Sequence, residues 1–189
     1  MRIIAGEARG RTLTAPKGMD TRPTQDYVRE SLFNILQASV PEARVLDLFA
    51  GSGALALEAL SRGAEKATLV DCSADAVQCI KRNAETLGFA ERVTVVRSDW
   101  QAALTRLSKN GERFTLVFLD PPYRITDTGA QCARLADANL LDNSALLAIE
   151  HRRDVMPALD ARFTEISQRR YGDTEIHFYR YRGGESNDE

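Results

Sequence analysis

The chain of 189 residues has only three cysteines, Cys72, Cys79 and Cys132, and only two histidines, His151 and His177. An odd number of cysteines at these intervals offers no even disulfide framework, and the histidines stand at no metal-ligand spacing. A reduced cytoplasmic setting is therefore expected, with no bound metal. Long apolar runs are missing as well: no stretch approaches the ~20 residues that span a bilayer. The opening Met1-Arg-Ile-Ile-Ala-Gly6 is too short in its apolar part for a secretory signal. A soluble, retained protein with no membrane partner is expected. Charge of one sign is also lacking, since 25 basic against 27 acidic residues leave a formal net charge of −2. The chain as a whole has no bulk attraction to nucleic acid, so any such contact must come from local patches.

What is present describes a compact catalytic protein. At 43% hydrophobic, the chain can bury one sizeable core and is too short for two comfortable domains. One domain over 1–189 is expected: a basic N-terminal hairpin and helix (1–43), a core (44–182), and a glycine-containing acidic tail (183–189) that frays. No sequence feature signals an oligomer, so a monomer is the default. From residue 44 strands and helices alternate, with strands read at 44–48, 66–70, 92–97, 114–119 and 144–150. That alternation predicts a doubly wound α/β architecture, a mostly parallel sheet covered on both faces. Ser73 is a predicted helix N-cap and Gly88 a helix stop. Phe163 to Tyr171 and Thr174 to Tyr181, joined at Gly172-Asp173, read as an antiparallel hairpin.

Two motifs carry chemistry. The apolar run Phe114-Thr-Leu-Val-Phe-Leu119 ends in Asp120-Pro121-Pro122-Tyr123. This places a carboxylate, a rigid backbone and a flat ring at the carboxyl edge of a sheet. Proline fixes φ and donates no N–H, so the Pro121 carbonyl can be held outward. Such a group suits an exocyclic amino group of a nucleobase: Asp120 accepts one amino hydrogen, the Pro121 carbonyl a second, and Tyr123 stacks on the base. The same four residues also describe a stiff turn. Upstream, Arg44-Val-Leu-Asp47-Leu-Phe49-Ala-Gly51-Ser-Gly53-Ala-Leu-Ala-Leu-Glu58 reads as strand, glycine turn and helix, where the absence of Cβ atoms lets a ligand approach the backbone. Asp71 follows Gly53 by eighteen residues at the end of the next strand, placed to accept from ribose hydroxyls.

Ala56 stands where a dinucleotide fingerprint wants its third glycine, and the Lys-Ser/Thr of a phosphate loop is absent. A nucleoside cofactor without phosphates, S-adenosyl-L-methionine, fits better, with Asp47, Phe49, Gly51, Gly53 and Asp71 among its expected contacts. Asp99 is placed to accept from an adenine amino group and Trp100 to shield the ring; equally, Asp99 is a helix N-cap and Trp100 a core indole. Thr24, at the start of a predicted helix bearing Val28, Leu32, Ile35 and Leu36, can cap both that helix and the site. Residues 1–22 hold Arg2, Arg9, Arg11, Lys17 and Arg22 against Glu7 and Asp20. This basic arm reads as phosphate-facing, with Arg2, Arg9, Arg11 and Arg22 as RNA contacts, or as an edge hairpin guarded by charge.

The mostly parallel sheet with an edge hairpin is similar to the class I S-adenosylmethionine-dependent methyltransferase (Rossmann-like) fold. Arg2-Ile-Ile-Ala-Gly6, Arg9-Gly-Arg11, Thr21-Arg-Pro-Thr24, Val28-Arg-Glu30, Phe33-Asn34-Ile-Leu36, Asp47-Leu-Phe-Ala-Gly-Ser-Gly53 and Asp120-Pro-Pro-Tyr123 together resemble the bacterial 16S rRNA (guanine-N2)-methyltransferase family RsmD over nearly the whole chain. The resemblance implies methyl transfer from S-adenosylmethionine to one guanine N2 of 16S rRNA, in the small ribosomal subunit or its assembly intermediate. Tyr27 stands where the family pattern has a basic residue. Two other readings stay open on the residues alone: a DNA amino-methyltransferase, for which no target-recognition region fits this length, and a catalytically silent RNA-binding assembly factor. Protein glutamine methylation would favour Asn at the position of Asp120.

Overall fold

The computed structural model describes residues 1–17, 23–122 and 124–183, and the side chains of all of these except 23–25. Helix α1 (Pro23–Leu36) leads into β1 (Arg44–Asp47), after which α2 (Ala54–Ser61), β2 (Lys66–Asp71), α3 (Ala74–Leu87), β3 (Val93–Arg97), α4 (Trp100–Lys109), β4 (Phe114–Leu119), α5 (Thr128–Asp137) and β5 (Leu141–Arg152) alternate. The hairpin β6 (Phe163–Tyr171) and β7 (Thr174–Tyr181) follows. The seven strands form one sheet in the order β3-β2-β1-β4-β5-β7-β6. The first five run parallel, and β7 joins antiparallel between β5 and β6.

Alternation within the buried strands assigns their two faces. Val45, Leu116, Phe118, Ala148, Ile176 and Phe178 pack with α1, α2 and α3 on one side. Leu46, Val117, Leu119, Ile149 and Tyr179 pack with α4 and α5 on the other. Local signals in the sequence fix the helix ends: Ser73 Oγ accepts from the Ala76 N–H, and Gly88 closes α3 in a left-handed conformation at φ 78°. Strand β5 is longer than its hydrophobic pattern predicts. Asp142, Asn143 and Ser144 interrupt the apolar run, yet Leu141 already pairs with Phe114, and a register shift with Ser144 at φ 66° restores pairing at Leu116 and Leu146. Partner strands, which the pattern does not contain, set those ends.

The N-terminal arm is a hairpin in outline only. A single antiparallel bridge joins Arg2 to Thr12, supported by Ile3 N–H to Arg11 carbonyl and Leu13 N–H to Met1 carbonyl bonds of 2.9 Å each. Its rigidity comes from α2. Glu58, fully buried, accepts from the backbone N–H groups of Ile4 (2.8 Å) and Ala5 (3.0 Å) and from Arg62 Nε (2.8 Å). Ser61 adds two more bonds, from the Ala8 N–H and to the Ala5 carbonyl. At Gly6 the approach is so close that a Cβ would lie 1.8 Å from the Ser61 carbonyl oxygen, and φ is +85°. This docking explains why α2, Ala-Leu-Ala-Leu-Glu-Ala-Leu-Ser, is apolar almost all round: the arm covers the face that would otherwise meet water.

Replacing Glu58 by alanine strands two backbone donors and the guanidinium of Arg62. Stability to chemical denaturation is expected to fall by about 3–5 kcal/mol, and a loss under ~1 kcal/mol would show that the arm is held by apolar contacts alone.

Candidate active site

The carboxyl ends of the parallel strands present a row of acids on the α1–α3 face. Asp71 ends β2 and Asp47 ends β1; Asp120 directly follows β4, and Glu150 lies near the end of β5. β1 and β4 are neighbours, and their following helices α2 and α5 lie on opposite faces. That divergence puts the topological switch point of the sheet between Asp47 and Asp120, the place at which open α/β sheets bind their ligands. Asp47 is 2% exposed. Desolvation, reinforced by the charges of Asp120 and Asp71, raises its carboxyl to about 8, although the backbone N–H groups of Ala56 and Phe49 pull the other way. Asp120 opens to solvent on one side and is raised to about 6 by desolvation. Glu150 is raised to about 8 by desolvation and by Asp120.

Acids crowded this way are under-neutralised and favour a cationic ligand. The sulfonium and ammonium groups of S-adenosylmethionine suit them, and the surrounding backbone suits the rest of that molecule. Gly51 and Gly53 both take positive φ, 56° and 80°, in the turn between β1 and α2. Asp71 is clamped across this turn by N–H groups of Gly51 and Ser73, each at 2.9 Å, so its carboxylate is fixed with lone pairs left for hydroxyls. Asn83 buttresses the turn from behind, donating to the Ser52 carbonyl (3.0 Å) and the Thr14 carbonyl (2.9 Å). The arm thus passes beside the glycine turn at Thr14. After Asp120, Pro121 is buried and Pro122 exposed. The Pro122 carbonyl accepts from the Ile125 N–H at 2.8 Å, while no backbone N–H of the described residues takes the Pro121 carbonyl.

The other expected site residues divide. Asp99 caps α4, its Oδ1 accepting from the Ala102 N–H at 2.9 Å, and is exposed. Trp100 and Phe49 pack partly buried against the α4–α5 cluster, with the Arg134 guanidinium 5.3 Å from the Trp100 ring centroid. Tyr123 and Arg22, and the side chain of Thr24, lie outside the described residues; α1 begins at Pro23. Among the arm arginines, Arg2 and Arg9 are exposed. Arg11 is exposed as well, and one nitrogen of its guanidinium hydrogen-bonds the Thr86 carbonyl at the end of α3, leaving its other donors to the surface. Glu150 was missed in the sequence, although it stands at a strand end like the other three acids. Spacing also gave no hint that His151, Glu175 and His177 converge, which they do, with ligand-type atoms all within 4.8 Å of one another. A separate groove of about 600 Å³ is lined by Arg152, Arg153, Asp154 and Asp173 and holds none of the four acids.

Between pH ~4 and ~8 the folded chain keeps a proton on Asp47 that the unfolded chain has lost, so stability of the ligand-free protein falls as pH rises through that window. Asp47→Asn removes the strain. It is expected to raise Tm at pH 8 by at least ~2–4 °C, the shift per kcal/mol for a domain of this size, while weakening cofactor binding. An unchanged Tm would show that the carboxyl is already neutralised.

Comparison with known proteins places this geometry. Residues 1–180 match the model of a family described as conserved hypothetical protein 95. YlbH of Bacillus subtilis (strain 168) is 38% identical over 184 residues, covering 97% of this chain and all of YlbH. The ribosomal RNA small subunit methyltransferase D of Escherichia coli (strain K12) is 42% identical over 150 residues, covering 79% of this chain and 74% of that protein. The solved structure of yhhF from Escherichia coli superposes with a TM-score of 0.85 at 33% identity, covering 97% and 98% of the two chains. The chain belongs to the conserved hypothetical protein 95 family, the RsmD family of ribosomal RNA methyltransferases.

Proposed function

We propose that the protein transfers a methyl group from S-adenosylmethionine to the exocyclic N2 amino group of one guanine in 16S rRNA. Methylation of ribosomal RNA as such follows from the family; the guanine N2 target is our reading. The observation that supports it is the pairing, at one strand end, of an acid and a rigid unengaged carbonyl at the switch point of the sheet, among further carboxyls. The chain is read as a single methyltransferase domain acting as a cytoplasmic monomer on the small subunit or its assembly intermediate.

When bound, S-adenosylmethionine supplies an electrophilic methyl on a sulfonium. Asp47 and Asp71 would hold the donor, the former through charge and the latter by accepting from hydroxyls. Asp120 and the Pro121 carbonyl accept the two amino hydrogens, which aims the nitrogen lone pair along the line of displacement; orientation of this kind supplies much of the acceleration. This chain's part in the transfer would be to hold the amino group in line with the donor and to take up the proton it releases. Because an amino nitrogen becomes acidic only once it is alkylated, Asp120 would accept its proton late, as an acceptor and not as a strong base. Tyr123 stacks on the guanine, which must be unpaired or flipped to present its edge. Arg2 and Arg9 contact phosphates.

The reading is tested by incubating labelled S-adenosylmethionine with small subunits lacking the modification, protein-free 16S RNA and duplex DNA, followed by nucleoside analysis. Label in N2-methylguanosine supports it; label in DNA or in another base overturns the substrate. Asp120→Ala is expected to reduce turnover by at least ~10³ with S-adenosylmethionine affinity within about threefold of wild type, and wild-type kcat/KM should rise as pH passes ~6 and Asp120 ionises. Retained turnover in the variant removes Asp120 from the chemistry. Replacing both Arg2 and Arg9 by alanine should flatten the log–log salt dependence of RNA binding by ~1.4–1.8, two phosphate contacts' worth; an identical slope takes the arm out of the interface.

A further inference from the structure

Strand β5 meets the C-terminal hairpin through a group of side chains that methyl transfer does not use. His151 on β5 lies directly opposite Glu175 on β7, and Ile149 opposite His177, so both histidines and the glutamate project from the same face of the sheet. All three are buried, at 8%, 2% and 0% exposure for His151, Glu175 and His177.

The hydrogen bonds around them fix which atoms point inward. His151 Nδ1 lies 2.7 Å from the Arg152 carbonyl oxygen, which can only accept, so Nδ1 carries the proton and Nε2 presents a lone pair. That Nε2 is buried and has no hydrogen-bond partner among the described residues. His177 Nδ1 lies 3.1 Å from Glu165 Oε2, a carboxylate oxygen that also accepts from the Tyr179 hydroxyl. The His177 Nε2 then faces Glu175 Oε2 at 3.4 Å, while Glu175 Oε1 is held by Arg170 at 2.6 Å. Three acceptor atoms therefore converge. A proton on His177 Nε2 would answer the Glu175 carboxylate and still leave the His151 Nε2 buried without a partner; a cation answers all three at once.

We propose that His151, His177 and Glu175 bind one divalent metal ion of the zinc class, which staples β5 to the hairpin. Two imidazole nitrogens and a carboxylate oxygen form a donor set suited to zinc. Tetrahedral zinc with bonds of ~2.0–2.2 Å has donor-to-donor edges of about 3.3–3.6 Å, which the 3.4 Å pair already meets. The remaining separations, up to 4.8 Å, close by about 1 Å, through rotation of His151 at the rim of the group. A narrow cleft lined by His151, Glu150, Thr126 and Thr128 leaves the fourth position to water. The outer partners Arg152 carbonyl, Glu165 and Arg170 match the shell that orients metal-bound histidines and carboxylates. The role is structural and independent of the methyl transfer reading.

The test uses full-length protein with any affinity tag removed, stripped with a chelator and titrated with Zn2+ and then Co2+. One Zn2+ per chain is expected, along with a visible Co2+ absorption of four- or five-coordinate character and a rise in Tm on Zn2+ addition. His151→Ala and Glu175→Gln should each weaken Zn2+ binding by more than the ~10–100-fold that loss of an outer partner costs, and Glu165→Gln should fall within that range. Because His177 is wholly buried, its replacement risks the fold, and the wild-type titration stands without it. No Zn2+ bound by wild type at ~10 µM free metal, or equal binding by His151→Ala, overturns the proposal and assigns the His151 nitrogen to water in the cleft.

Discussion

Everything at the functional end depends on one backbone arrangement, the pairing of β1 with β4 while the helices that follow them leave on opposite faces. At this divergence Asp47 is buried and Asp120 exposed, each close enough to the other for their charges to interact. Burial and mutual repulsion keep Asp47 protonated near neutral pH in the ligand-free protein. On the proposed function, a cationic donor bound there would replace that repulsion with attraction. Asp47 is thus strained in the ligand-free chain, a cost of the kind functional sites impose on the fold.

A second buried carboxylate works in the opposite sense. Glu58 is as deeply enclosed as Asp47, yet it is answered by two backbone N–H groups and by Arg62. The result is a rigid joint where Asp47 makes a reactive one. Through that joint, an arm with little secondary structure of its own is fixed against α2, and through Asn83 its far end is tied to the glycine turn. The element proposed to meet RNA and the element proposed to hold the methyl donor therefore share supports, so displacement of the arm should be felt at the cofactor turn.

Much of this was legible in the residues. The parallel strands announced themselves as apolar runs because both of their faces are buried, and the hairpin from Phe163 to Tyr181 was readable from its alternation about Gly172-Asp173. Ser73 and Gly88 were readable as helix ends because capping is local chemistry. Legibility failed where a partner strand or a distant helix decides the outcome. The polar start of β5 belongs to the sheet because β4 is waiting for it, and Glu150 joins the acids only because β5 lies beside β4.

The sequence by itself determined the order of elements, the glycine turn and the strand-end Asp-Pro-Pro-Tyr, since each rests on interactions within a few residues: φ preference, period-two or helical patterning, and capping. Tertiary structure alone decided which acids lie together at the sheet edge, how the arm is fixed to α2, and that His151 meets Glu175 and His177 of the neighbouring strand. Those outcomes are set by strand order and register, which bring together residues dozens of positions apart, and no local preference of the backbone encodes them.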